Sequence, residues 1–411
     1  MTEELKLLAP QGVKPGLDRL HRSVAQAAGR PINRREALGL AGMALLATAC
    51  GTSTSNATTA STSAGTTSTA NPLTGKPVEN HLEIYNWSQY DDPSTYAKFK
   101  KLPAEAAAGL TIHETYYSSN DELLAKLNAG AGGYDIIVPS QNAVAELIQE
   151  GKLLALDKAL LPNLRYLDPS FLKSSYDPTG NYHVIKDFGI TMFFYNHNII
   201  REQPQTMLDF YHLLPKYVSK GRTNLLDGAE EVIPLALMAL GLDPNTQSET
   251  DFNTVTKFLM SIRKGVTTID SSAYINDASA GKIILSQGWN GDVRRILQAR
   301  SKQHDLTAVI PHKASEIWAD NWCIPANAPH PVAAHAWINW LLKPSTAVTE
   351  MLYHNYKIPM SSALDQLPGS LKNDPMFNVP KSYTDNYHYI LNVNPQVVQR
   401  RTQIYTAFKA A

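Results

Sequence analysis

Alternating strand and helix signals between residues 81 and 411 predict an α/β fold, and three observations carry that expectation. Two short runs of strand character, at 82–86 and 134–138, flank a segment with helix-start chemistry at Ser119-Asn120-Asp121-Glu122. Gly130-Ala131-Gly132-Gly133 stops that helix before the second run begins. The same order recurs where Lys282-Ile283-Ile284-Leu285 leads through Gly288-Trp289-Asn290-Gly291 into a further helix. Strand, helix and strand at this spacing make βαβ units and a largely parallel sheet.

Each element follows from its residues. Leu82-Glu83-Ile84-Tyr85-Asn86 alternates with a period of two, which turns one face toward a core. Ser119 and Glu122 match a capping box, in which each side chain satisfies an orphan backbone donor, and Leu123, Leu124 and Leu127 form the apolar stripe behind it. Tyr134-Asp135-Ile136-Ile137-Val138 suits a buried strand. Pro139-Ser140 opens the next helix, with Val144, Leu147 and Ile148 on one face and Gly151 at its end. Asp227-Gly228-Ala229-Glu230 matches a second capping box, whose helix is predicted to finish near Gly241. Asp292 is the predicted N-cap of the helix that follows Gly288 to Gly291. No repeat, coiled coil or long linker interrupts 80–411, so the two domains suggested by 411 residues are closely joined.

The chain carries 37 basic and 37 acidic side chains. Seven of the basic and four of the acidic ones fall in the first 49 residues, so the remaining 30 and 33 leave the rest at −3. A mildly acidic body without a basic block argues against nucleic acid, which needs clustered Lys and Arg to replace counterions. The early positive charge has another use. Arg34-Arg35 precedes an uncharged run from Ala37 to Ala49 that ends at Ala47-Thr48-Ala49-Cys50, the order of a basic region, an apolar region and a small-residue cleavage site. The run is shorter than the roughly 20 residues of a spanning helix. The arginine pair looks like a twin-arginine export signal over 1–49, and Ala-Thr-Ala-Cys resembles a bacterial lipobox with Cys50 as the lipidated residue. Residues 51–71 are almost all Ser, Thr, Ala and Gly, and the whole segment 50–78 reads as a lipidated cysteine and a flexible tether. The expected location is extracytoplasmic, anchored by the two acyl chains on Cys50.

Signatures of catalysis are missing from the sequence. The glycines at 130–133 lack the Lys-Ser/Thr of a phosphate loop and precede a strand. No His-Glu-x-x-His occurs, and His330 with His335 fall at a spacing that does not share a helix face. No Gly-x-Ser-x-Gly elbow is present. Cys323, in Trp322-Cys323-Ile324-Pro325, reads as a small buried hydrophobe. No catalytic residue, cofactor or metal is expected, and two cysteines give no disulfide framework.

Tryptophans beside acids and polar groups mark a site instead. Asn86-Trp87-Ser88-Gln89-Tyr90, Gly288-Trp289-Asn290-Gly291-Asp292 and Trp318-Ala319-Asp320 each read as a strand-to-helix junction, where α/β sheets bind ligands. Together with Tyr134 to Ser140, Asp227 to Val232, Tyr274-Ile275-Asn276-Asp277 and Ile324 to Ala328, they occur in an order that resembles the bacterial spermidine/putrescine-binding proteins of polyamine ABC transporters. The likeness covers about 81–411.

That resemblance implies a type II periplasmic-binding-protein fold: two lobes with mixed sheets joined by two crossover strands, near 188–196 and 310–318, with the ligand between them. Lobe 1 is expected to comprise 79–192 and 317–366, and lobe 2 to comprise 193–316 and 367–411. Matched residue by residue, Trp87, Ser88, Gln89, Tyr90 and Ser140 line the first lobe's side. Glu231, Trp289 and Asp292 come from the second lobe, and Trp318, Asp320 and Tyr356 complete the cleft. The implied partners are a polyamine, the permease subunits and the membrane through the lipid anchor, with the protein a monomer. The chain departs from the family at Gln89, where many relatives carry an acid. Gly228 stands where spermidine-type proteins place an Asp, Asn142 where they place a Tyr, and Leu391 near a Gln of some relatives. Fewer carboxylates suit fewer ammonium groups, so putrescine is the expected ligand ahead of spermidine. A sensing module for another cationic amino compound is the alternative. An exported hydrolase using Glu231 and Asp320 has no nucleophile or metal signature behind it.

Overall fold

The computed structural model describes residues 73–313, 315–392 and 394–411. The export signal, Cys50 and the tether as far as residue 72 lie outside the described residues. Residues 73–78, read from sequence as the end of the tether, are held to the body. The Leu73 N–H and the Thr74 hydroxyl each donate to Asp157 at 3.1 Å, and Val78 packs on the first core.

Among the described residues the strands are β1 (His81–Trp87), β2 (Thr111–Tyr117), β3 (Ile136–Ile137), β4 (Val184–Asn196), β5 (Arg222–Leu225), β6 (Thr268–Ile269), β7 (Ile283–Trp289), β8 (Leu306–Val309), β9 (Glu316–Trp322) and β10 (His388–Tyr389). One sheet has the order β2-β1-β3, all parallel. The other runs β10-β9-β4-β7-β5-β6, with β8 paired to β4. Bridges from Ile137 to Cys323 and from Ser140 to Asp320 lay β9 and the residue beyond it beside β3 and the turn after it, so the first sheet continues into β9.

Thirteen-residue β4 serves both lobes. Its first half is antiparallel to β9, from Val184 opposite Trp322 to Ile190 opposite Ile317. Its second half is antiparallel to β7 on one side and β8 on the other. Parallel pairs inside each lobe and antiparallel pairs along β4 make the sheets mixed; β4 spans the first expected crossover, 188–196, whereas the second, expected at 310–318, overlaps only the first three residues of β9. Gly189 sits where the lobes meet on β4. A Cβ there would lie 2.2 Å from Asn290 Oδ1 and 2.4 Å from the Trp318 ring, so only glycine permits this close approach.

Each lobe has its own core. Leu82, Ile84, Phe99, Trp322 and Trp337 pack in the first, which also takes in Leu367, Leu371 and Phe377 from beyond residue 366. Phe193, Phe210, Leu225, Val232, Leu259 and Phe408 pack in the second, under the C-terminal helix Pro395–Ala410. No helix among the described residues is long and apolar enough to cross a membrane.

Three helix starts differ from the sequence expectation. At Asn120–Asn128, Ser119 accepts from the Glu122 N–H at 3.2 Å as predicted. Glu122, however, turns back to the Ser118 N–H and hydroxyl, both at 2.9 Å, so the box is not reciprocal. At Ala229–Ala239 the N-cap is Gly228, with φ of 125°, and no side chain of its own segment caps the helix. Asp227 instead accepts from Tyr405 and Lys409, and the Ala229 N–H donates to Asp121 of the first lobe at 2.9 Å. The helix Asn290–Ala299 begins two residues before the predicted cap, because β7 runs through Trp289 and makes it the N-cap. Asp292 thereby becomes the third helical residue and is free to face inward.

Candidate ligand-binding site

The two lobes face each other across a cavity lined from both sides. All eleven side chains singled out from the sequence line it. Trp87 ends β1 and Trp289 ends β7, so the strand termini of opposite lobes bring their indoles together, edge to face, at 5.8 Å and 72°. Trp87 Nε1 donates to the Val138 carbonyl at 2.9 Å, which fixes its ring. Trp318 lies inside β9, where strand alternation aims it at the cavity; the junction read from sequence is absent there. Tyr356 stands edge-on to Trp318 at 5.0 Å and to Tyr90 at 5.7 Å.

Asp320 is the best-held carboxylate. Its Oδ1 accepts from the Ser140 hydroxyl at 2.6 Å and its Oδ2 from the Tyr90 phenol at 2.7 Å. The same phenol lies 2.5 Å from Asp187 Oδ1, and one hydroxyl hydrogen cannot serve both acids at once. Burial, reinforced by the Asp187 charge, pushes Asp320 up to about 7. Facing it from the second lobe, Glu231 accepts from Trp289 Nε1 at 3.3 Å, while its buried Oε2 has no hydrogen-bond partner among the described residues. Burial raises Glu231 to about 8, with the Asp320 and Glu230 charges adding to the shift.

The third predicted acid is different. Asp292 accepts from the Tyr274 hydroxyl at 2.9 Å and has the Arg295 guanidinium 3.8 Å away, so burial raises its pKa and Arg295 opposes the rise. The Asp292 N–H donates to the Tyr356 hydroxyl at 3.2 Å, a contact between lobes. Gln89 adopts a left-handed φ of 57°, and its backbone and side-chain oxygens both accept from Arg295 at 3.3 Å. An acid at this rim position would meet the same guanidinium. Ser88 lines the cavity beside it.

Sequence reasoning missed other lining residues, among them Tyr117, Asn120, Ser271, Ser272, Glu230 and Glu316; Asn142, noted only as a departure, lines it too. Glu230 is bound to the buried Arg401 at 2.7 Å. Glu316 has no such partner among the described residues: it accepts from the Thr191 hydroxyl at 3.2 Å, and burial together with the Glu231 charge holds it well above the usual carboxylate range. Counting back by twos from Asp320 through Trp318 would have found it.

Among the described residues, none that lines the cavity is a lysine, arginine or histidine. No three His, Cys, Asp or Glu side chains there are placed to hold a metal. Cys323 is fully buried behind the first sheet, and burial drives its thiol well above the usual range. Indole and phenol faces between carboxylates form an environment for an organic cation, whose charge the acids balance and whose apolar part the rings cover.

Comparison with known proteins agrees with this geometry. Residues 95–379 match the family described as bacterial extracellular solute-binding protein. The chain is 30% identical over 331 residues to spermidine/putrescine-binding periplasmic protein 1 of Haemophilus influenzae, covering 80% of this chain and 88% of that one. It is 28% identical to the putrescine-binding periplasmic protein PotF of Escherichia coli, over 80% and 91% of the two chains. Among solved structures, a putative spermidine/putrescine ABC transporter from Listeria monocytogenes superposes with a TM-score of 0.74 at 28% identity, over 80% of this chain and 99% of that one. The chain belongs to the bacterial extracellular solute-binding proteins.

Proposed function

We propose that this protein is the extracytoplasmic capture component of a polyamine ABC transporter, without enzymatic activity, and that it prefers putrescine to spermidine. The observation that carries the reading is a cavity walled by Trp87, Trp289, Trp318 and Tyr356, with carboxylates from both lobes and, among the described residues, no basic side chain in its lining. Burying four methylenes contributes about 3 kcal/mol at about 0.8 kcal/mol each, and each ammonium against an indole adds about 0.5–2 kcal/mol. Charge-assisted hydrogen bonds to Asp320 at one end and Glu231 or Asp292 at the other orient the ligand. A ligand that touches acids in both lobes favours the closed arrangement, and that form is what a permease recognises. In this reading the lobes divide as 79–192 with 317–366 and 193–316 with 367–411, except that Leu367, Leu371 and Phe377 pack in the first lobe's core. The chain works as a monomer held to the membrane through Cys50.

A thermal-shift panel of putrescine, cadaverine, spermidine, spermine, agmatine and γ-aminobutyrate tests the ligand class. A ligand at 100 times its dissociation constant stabilises the fold by about 2.7 kcal/mol. Stabilisation by the diamines, and least by γ-aminobutyrate, is expected. No shift with any polyamine overturns the reading, and spermidine bound tenfold tighter than putrescine overturns the preference.

A further inference from the structure

The polyamine reading leaves Glu316 unused and leaves two acids competing for the second ammonium. Glu316 opens β9, and Glu316, Trp318 and Asp320 project from one face of that strand into the cavity. Side chains stand roughly perpendicular to a strand. At a rise of about 3.3 Å per residue, the two acidic side chains leave the strand about 13 Å apart with an indole between them.

Three backbone bonds extend to at most about 3.6 Å, or about 1.2 Å per bond. The five bonds between the nitrogens of putrescine then span about 6 Å, and the nine between the terminal nitrogens of spermidine about 11 Å. With a charge-assisted hydrogen bond of about 2.8 Å at each end, the spans become about 12 Å and about 17 Å. The diamine matches the carboxylate–indole–carboxylate row on β9, and the triamine overshoots it.

The alternatives for the far end are unequal. Asp292 already has Arg295 at 3.8 Å. Glu316 is 5% exposed with a neutral hydroxyl as its partner, and Glu231 beside it keeps one buried oxygen unpartnered among the described residues. Trp318 Nε1, on the same strand, is likewise buried without a partner there.

We propose that Glu316 is a specificity-determining residue of the cavity: with Glu231 it receives the ammonium remote from Asp320, and its place on β9 sets the length of amine accepted. The proposal rests on the polyamine reading and adds to it. The test is titration calorimetry on the full chain with putrescine, spermidine and 1-butylamine, the last being putrescine without its second ammonium and measured by competition. Glu316→Gln is expected to weaken putrescine about tenfold or more while changing butylamine by less than about threefold, because the single ammonium stays on Asp320. Glu316→Asp, which keeps the charge and withdraws it by one methylene, is expected to shift preference from putrescine toward cadaverine. Equal losses for putrescine and butylamine, or an unchanged putrescine affinity, overturn the role of Glu316 alone. If the wild-type chain binds none of the amines, the polyamine reading falls and this role with it.

Discussion

Two regions of this protein present carboxylates and aromatic rings in the interior, and they differ in where the positive charge comes from. Inside the first lobe, Lys186 Nζ lies 2.9 Å from Asp91 and 3.4 Å from Asp187. It also sits 3.8 Å from the centre of the Tyr90 ring and 5.1 Å from that of Trp322. Burial works against this ammonium, but Asp91, Asp187 and Glu350 raise its pKa above the usual lysine value. A lysine side chain is four methylenes ending in a primary ammonium, one half of the chemistry of putrescine. The cavity next door repeats the ingredients with Asp320, Glu231, Glu316 and the indoles, and among the described residues its lining has no basic side chain. Tyr90 belongs to both regions, its ring over Lys186 and its hydroxyl between Asp187 and Asp320. Two acids and a ring face keep the Lys186 ammonium charged in this interior, and the proposed reading asks the same of a ligand's ammonium in the cavity.

Three experiments break or sharpen that comparison. The largest effect is expected from Lys186→Met, which leaves Asp91 and Asp187 buried without their cation. Removing one partner of a buried pair costs about 3–5 kcal/mol, to be read from urea unfolding of the ligand-free protein. A loss below about 1 kcal/mol would show that the internal ammonium is not what holds these acids. Asp320→Asn reverses the pattern. Diamine binding is expected to fall by about 2–5 kcal/mol while the ligand-free fold keeps its melting temperature, and unaltered affinity would remove Asp320 from the site.

The smallest effect is in pH. Glu231 at about 8 and Asp320 at about 7 have folded values above their unfolded ones, so the folded chain holds protons that the unfolded chain has released. These groups therefore make the ligand-free protein lose stability as pH rises from about 4 toward 8. A cationic ligand needs the ionised acids, so amine affinity is expected to increase between pH 6 and 8, by at most about tenfold per pH unit for each proton released. Calorimetry in buffers of different ionisation enthalpy counts those protons, and a count of zero at pH 6.5 would contradict the raised values.

Much of this arrangement is legible in the sequence. Tryptophans at 87 and 289 next to turn residues read correctly as the ends of strands, because a strand that stops at a helix leaves its last side chain at the sheet edge. What escaped the sequence was set by tertiary contact. Glu122 and Asp227 have the spacing of capping boxes, yet their carboxylates go to Ser118 and to Tyr405, partners that local spacing does not specify. Asp292 looked like a cap because strand and helix abut at Trp289 with no intervening turn. Lys186 and Asp187 sit in an unremarkable run of β4, and only the pairing of β4 with β9 places Asp187 opposite Asp320. Glu316 was visible in principle, at period two from Asp320, but alternation counts only once the strand is known to extend that far.

The indoles of Trp87 and Trp289 come from different lobes and meet at 5.8 Å and 72°. Two chromophores that close couple their near-ultraviolet transitions, and that coupling weakens steeply with distance. In the proposed reading, a separation of the lobes would change the near-ultraviolet circular dichroism of the native chain, over the contribution of the Trp322–Trp337 pair, 6.5 Å apart within the first lobe's core. Trp87 and Trp289, two of the rings in the aromatic wall, would then report the parting of the lobes without an attached dye.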